Sequence, residues 1–169
     1  MVSMPTSPTK GSLPDPSVIK FQLKSLSQVA ASLNHASDSL SQIVKQIEDR
    51  INGLGLGVEA NVKITQWSNE TGDSELWRLA YRKVETTKKW GFEIECLGND
   101  DQYGSPEYES WPFKDAPRDY RILAVPKISA LMEALQEKAS QTVSELSENA
   151  AFANSLLRQL SSETDSEKG

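Results

Sequence analysis

Cysteine and histidine are nearly absent from this 169-residue chain, at one residue each. A lone cysteine, Cys96, excludes an internal disulfide framework and any cysteine-rich zinc site. A lone histidine, His35, removes most metal and triad chemistry. Basic residues are in the minority, with 18 Lys plus Arg against 24 Asp plus Glu and a net charge of −6. That balance argues against a general affinity for nucleic acid or for anionic membranes. No run of about 18 apolar residues occurs, so no spanning helix is expected. The opening MVSMPTSPTKGSLPDP carries Pro5, Pro8 and Pro14 where a signal peptide needs a continuous apolar stretch, and the expected address is the cytoplasm.

What the chain does contain is architecture. Residues 1–14 and 161–169 offer almost nothing to bury and are expected to be disordered arms around a single α+β domain at 15–160. The expected parts are a long helix at 15–52, an antiparallel sheet region of three to four strands at 58–113, and a short helix followed by a long one at 115–160. The two terminal helices are expected to pair antiparallel.

Asp15-Pro16-Ser17 reads as a helix start, with Pro at the first helical position, and Asn52-Gly53 reads as its end. Between them a four-three apolar spacing runs through Ile19, Leu23, Leu26, Ala30, Leu33, Ser37, Leu40, Val44, Ile47 and Ile51. A helix from 15 to 52 is roughly 54 Å long at 1.5 Å per residue, more than a small domain needs. Val29, Ala36 and Ile43 widen the seam where an isolated two-stranded coiled coil places charges. The seam therefore predicts contact with more than one neighbour. Leu26, Ala30, Leu33, Ser37, Leu40, Val44 and Ile47 are its candidate oligomer interface, with a homodimer favoured.

After the glycines at 53, 55 and 57 the period changes to two. Val58, Ala60, Val62 and Ile64 alternate with Glu59, Asn61, Lys63 and Thr65; further strands are expected at 76–84 and 90–97, joined by a hairpin loop at 85–88. Trp77, Leu79 and Tyr81 share the apolar face with Trp90, Phe92, Ile94 and Cys96. Arg78 and Arg82 are expected opposite Glu93 and Glu95 on the solvent side. Ten of the twelve aromatic residues fall between Trp67 and Tyr120, and most of these ten are expected in the core.

The stretch Gly98–Ser110 reads as an acidic, solvated loop. It departs from the EF-hand spacing, so no metal or other cofactor is expected. Its Asp100, Asp101, Glu107 and Glu109, together with Arg78 and Arg82, are candidate partner-contact residues. Asp115 and Pro117 open the next helical segment, Pro126 kinks or restarts it, and a long helix follows to about Leu160. The glycines lack the Lys-Ser/Thr of a phosphate loop, no serine has a nucleophile-elbow context, and Cys96 has no activating base in sight.

The pattern therefore favours a non-enzymatic structural or interaction protein. Its long helices self-associate, and its aromatic- and acid-rich sheet region meets a protein partner. A small acidic inhibitor, immunity protein or secretion chaperone binding one basic protein is the alternative. An anion or small-molecule binder, or an enzyme, ranks below both.

Overall fold

A computed structural model describes residues 16–70, 73–85, 87–100 and 105–166. The chain divides into two units, Met1–Leu40 and Ser41–Gly169. In the first unit the described residues form a helix, the opening part of α1 (Pro16–Gly53). The second unit holds the end of α1, a four-stranded sheet, a short helix α2 (Arg118–Ala124) and the long helix α3 (Ile128–Ser166). The expected α+β architecture is the one observed.

The strands are β1 (Ala60–Ser68), β2 (Ser74–Lys83), β3 (Trp90–Asp100) and β4 (Ser105–Pro112), an antiparallel meander in the order β1-β2-β3-β4. Leu79 pairs with Ile94 and Tyr81 with Phe92, so the apolar face expected from the alternation is continuous across the central strands. Helices α2 and α3 pack on the sheet. Leu131 of α3 joins Tyr81, Phe92, Leu79 and Ile94 as the largest fully buried side chains. Burying each such side chain stabilises the fold by roughly 1.5–3 kcal/mol.

Local chemistry sets the element ends. Leu54 and Gly55 donate backbone N–H bonds to Ile51 and Asn52, tightening the last turn of α1. The left-handed backbone falls at Gly55 and Gly57 (φ 62° and 64°) rather than at Gly53, and it turns the chain toward β1. Within β1 the register shifts between Lys63 and Thr65, and Ile64 between them is buried. Pro126 has no N–H to donate; α2 stops at Ala124, a 3-10 turn spans Val125–Lys127, and α3 restarts at Ile128. Helix α3 continues to Ser166, past the expected end near Leu160.

The expected loop at 98–110 is corrected by the structure. Gly98–Asp100 extends β3, Ser105–Ser110 lies in β4, and Gly98 pairs with Glu107. Polar residues conceal the strand period here, because both faces of this hairpin end are wet.

The β2–β3 connection closes with Val84 N–H on the Lys89 carbonyl and Lys88 N–H on the Val84 carbonyl, both at 2.8 Å. It holds Lys88 at φ 56°, a region that L side chains with a Cβ enter at a cost. Lys88→Gly is expected to stabilise the fold by about 0.5–1 kcal/mol, the relief exceeding glycine's extra unfolded-state entropy. A rightward shift of the urea midpoint with unchanged slope reads this out; a leftward shift contradicts it.

Candidate functional site

Two apolar stripes stand out on the helices. In the first unit, Leu23 and Leu26 are about 60% exposed, and Ile19, Val29 and Leu33 are also largely exposed. In the second unit α3 carries two apolar lines. One, through Ile128, Leu131 and Leu135, is buried against the sheet. The other runs through Val143, Leu146, Leu157 and Leu160, each more than 60% exposed, with Ala150 and Ala153 between them. This line begins at a groove of about 540 Å³ formed by Ile51, Leu54 and Leu56 on one side and Met132, Ala139 and Val143 of α3 on the other.

The candidate interface residues of the first helix fall into different surroundings. Leu26, Ala30 and Leu33 are exposed, Leu40 is half-buried and Ser37 is buried. Val44 is 2% exposed in the core, with Ile47 packed beside it. The four-three spacing is the same throughout, so spacing alone does not separate the part that serves the chain's own core from the part left open.

The sheet face opposite the helices carries a charge network. Arg78 Nη2 lies 3.0 Å from Glu95 Oε2, Arg82 Nη1 lies 3.1 Å from Glu95 Oε1, and Arg82 Nε donates to Glu93 at 2.5 Å. The Tyr108 hydroxyl donates to Glu95 Oε1 at 3.1 Å and accepts from Arg82 Nη2. The expected cross-strand partners do meet, but their expected solvent setting is corrected. Glu93 is 4% exposed and Glu95 2%, because the arginine stems and the Tyr108 ring lie over them.

Burial works against the charge on Arg82, yet the Glu93 hydrogen bond and the fields of Glu95 and Glu93 outweigh it and hold the guanidinium protonated. Burial also pushes the Tyr108 hydroxyl up, keeping it a neutral donor. Tyr108 is the member that the sequence reading missed. Its signal is its place in β4 opposite Leu97, visible only once 98–110 is recognised as a hairpin.

Two of the acidic candidates, Glu107 and Glu109, share one side of the sheet, near Cys96. Asp100 ends β3 and pairs with Ser105, Glu107 and Glu109 are exposed on β4, and Asp101 lies outside the described residues. Glu109 pairs with Cys96 and Tyr108 with Leu97, so neighbouring residues of β4 face opposite sides of the sheet.

A cavity of about 860 Å³ lies between the end of α1 and the adjoining ends of β2, β3 and β4. Its polar groups serve one another. Glu48 accepts from Phe92 N–H at 2.7 Å and pairs with Lys45 at 2.9 Å. Tyr81 donates to Asn52 Oδ1 at 2.6 Å, and Asn52 Nδ2 donates to the Trp90 carbonyl at 3.1 Å. This arrangement anchors α1 to the sheet. Burial, followed by the fields of Glu75, Glu109 and Glu107, raises the Cys96 thiol above its ordinary range and disfavours the nucleophilic thiolate.

Among the described residues no group of three or more His, Cys, Asp or Glu side chains is placed to hold a metal ion. No helix among them is long and apolar enough to cross a membrane. Comparison with protein-family models, with curated proteins and with solved structures returns no match.

Proposed function

We propose that the protein is a non-enzymatic interaction protein that self-associates through its long helices and offers its sheet region to a protein partner. One observation carries the reading: the apolar stripes of α1 and of the distal half of α3 are exposed over several turns. Six to eight such side chains at roughly 100 Å² each make about 600–800 Å² per copy, close to the ~800 Å² per partner of a stable interface. The sheet's contribution rests on Trp67 and Tyr108, each about half exposed, and on the exposed Glu107 and Glu109.

Sedimentation equilibrium of the full chain tests the assembly. A dimer or larger species is expected at about 20 μM, a concentration suited to a micromolar dissociation constant. Leu26→Glu with Leu33→Glu is expected to give monomers, since both side chains are exposed in one chain and a charge there costs the fold little. A monomeric wild type at that concentration overturns the reading.

A further inference from the structure

The sheet face that carries the helices stays open at one end. Strand register sets its side chains in rows that cross the sheet. Leu79, Ile94 and Trp111 form one row, in the core or packed against it. Thr65, Trp77, Cys96 and Glu109 form the next, where Tyr120 of α2 stacks on Trp77. Trp67, Glu75, Gly98 and Glu107 form the outermost row. There Trp67 is 53% exposed, and Glu75 and Glu107 are exposed as well.

This outer row contains a gap. Gly98 has no side chain, and it separates Glu75 from Glu107 by two strand spacings, roughly 10 Å between backbones. A Cβ built on Gly98 would meet Glu107 Cβ at 3.5 Å, an ordinary contact, so a larger side chain would fill the gap. Glu75 accepts from the Trp77 indole at 3.1 Å through Oε2, which leaves Oε1 for a second donor. Neither Glu107 nor Glu109 has an ion pair among the described residues. The fields of Glu75, Glu109 and Glu107 all reach the Cys96 thiol one row inward, so the three carboxylates surround one stretch of β3.

Charge then names the occupant. Strands β1 and β2 join at this end of the sheet, as do β3 and β4. The stretches 64–77 and 96–113 that build it contain seven Asp or Glu and no Lys or Arg. A partner that buries this surface must therefore bring the compensating charge itself. Arginine suits the row better than lysine, because its planar guanidinium pairs with a carboxylate while lying on an aromatic ring. Trp67 stands directly opposite Glu75 on the same face and offers that ring. We infer that the outer row docks an arginine-bearing segment of a protein partner, one guanidinium between Trp67 and Glu75 and a second over Gly98 against Glu107. This rests on the sheet region's being a partner surface, as proposed above, and gives it a location and a partner chemistry.

Calorimetric titration of the full chain with tetra-arginine at low salt tests it. Binding is expected, and Glu75→Gln/Glu107→Gln is expected to weaken it at least about tenfold. Gly98→Leu keeps every charge while filling the gap, and a comparable loss is expected. Glu133→Gln/Glu137→Gln removes the same charge from exposed positions of α3 and is expected to change affinity less than about twofold, since salt screens distant charges. Tetra-lysine is expected to bind more weakly than tetra-arginine, and Trp67→Ala should narrow that difference.

A wild type that does not bind tetra-arginine overturns the inference, as does an equal loss in the α3 control. A Gly98→Leu chain that is folded by circular dichroism and binds as wild type overturns it too, and a Trp67→Ala chain with undiminished arginine preference overturns the role of the ring. Self-association is read separately: an assembled wild type without peptide binding removes only this site, and a monomer that binds as expected removes only the assembly.

Discussion

Glu95→Ala is expected to destabilise the protein by about 3 kcal/mol, at the lower end for breaking a buried ion pair. Glu95 is the hub of the open sheet face, meeting Arg78, Arg82 and the Tyr108 hydroxyl. Removing it takes the carboxylate from Arg78 altogether and leaves Arg82 with Glu93 alone. Both arginine side chains are 27% exposed, so water recovers part of the loss and the upper end of the range is not reached. At roughly 3 °C per kcal/mol for a chain of this size, the melting temperature should fall by about 10 °C.

Glu95→Gln is expected to cost less, since the amide oxygen still accepts one hydrogen bond while the charge is lost. Thermal unfolding followed by far-UV circular dichroism checks both. A loss below about 1 kcal/mol for the alanine variant would mean that the network behaves as a surface pair in spite of its burial.

Trp77→Ala is expected to cost about 4 kcal/mol, within the range for deleting a large buried aromatic side chain. The indole is 7% exposed and stacks on Tyr120 with centroids 3.4 Å apart, and on Trp111 at 5.7 Å. Tyr120 belongs to α2 and Trp111 to β4, so one side chain ties the short helix and an edge strand to the centre of the sheet. Its ring nitrogen donates to Glu75 at 3.1 Å, a bond that Trp77→Phe loses while keeping much of the stack. The phenylalanine variant should therefore fall between the two in urea unfolding. Near-UV circular dichroism should lose intensity in the alanine variant as the ordered aromatic cluster is dismantled. Equal stability of the alanine variant and wild type would contradict the role given to this stack.

Much of the fold was legible because its signals are local. The Asn52-Gly53 pair marks the observed end of α1, and Pro126 marks the break before α3. The alternation of Trp77, Leu79 and Tyr81 identified the core face of β2, and opposite charges grouped Arg78 and Arg82 with Glu93 and Glu95 without saying which meets which; the register sets Arg78 opposite Glu95 and Arg82 opposite Gly91, diagonal to Glu93. The reading failed where local polarity misleads. The hairpin formed by the end of β3 and β4 is rich in Asp, Glu, Asn and Gly, all poor strand formers, and only pairing with β3 holds β4 extended. Tyr108 was missed with it. The bulge at Ile64 was also invisible, because the alternation from Val58 to Ile64 carries no mark of where the partner register slips.

By itself, then, the sequence determined which residues lie on one helical line or one strand face, and where proline and glycine interrupt those lines. These are properties of backbone period and of single-residue geometry, which neighbours in the chain already contain. Tertiary structure alone decided how deeply each line is covered. Val44 is in the core and Leu26 is open on one unbroken seam, and Glu93 and Glu95 are sealed on a face that alternation marks as wet. Burial depends on side chains arriving from far along the chain, such as Arg82 and Tyr108 over Glu95, and no local period encodes their arrival.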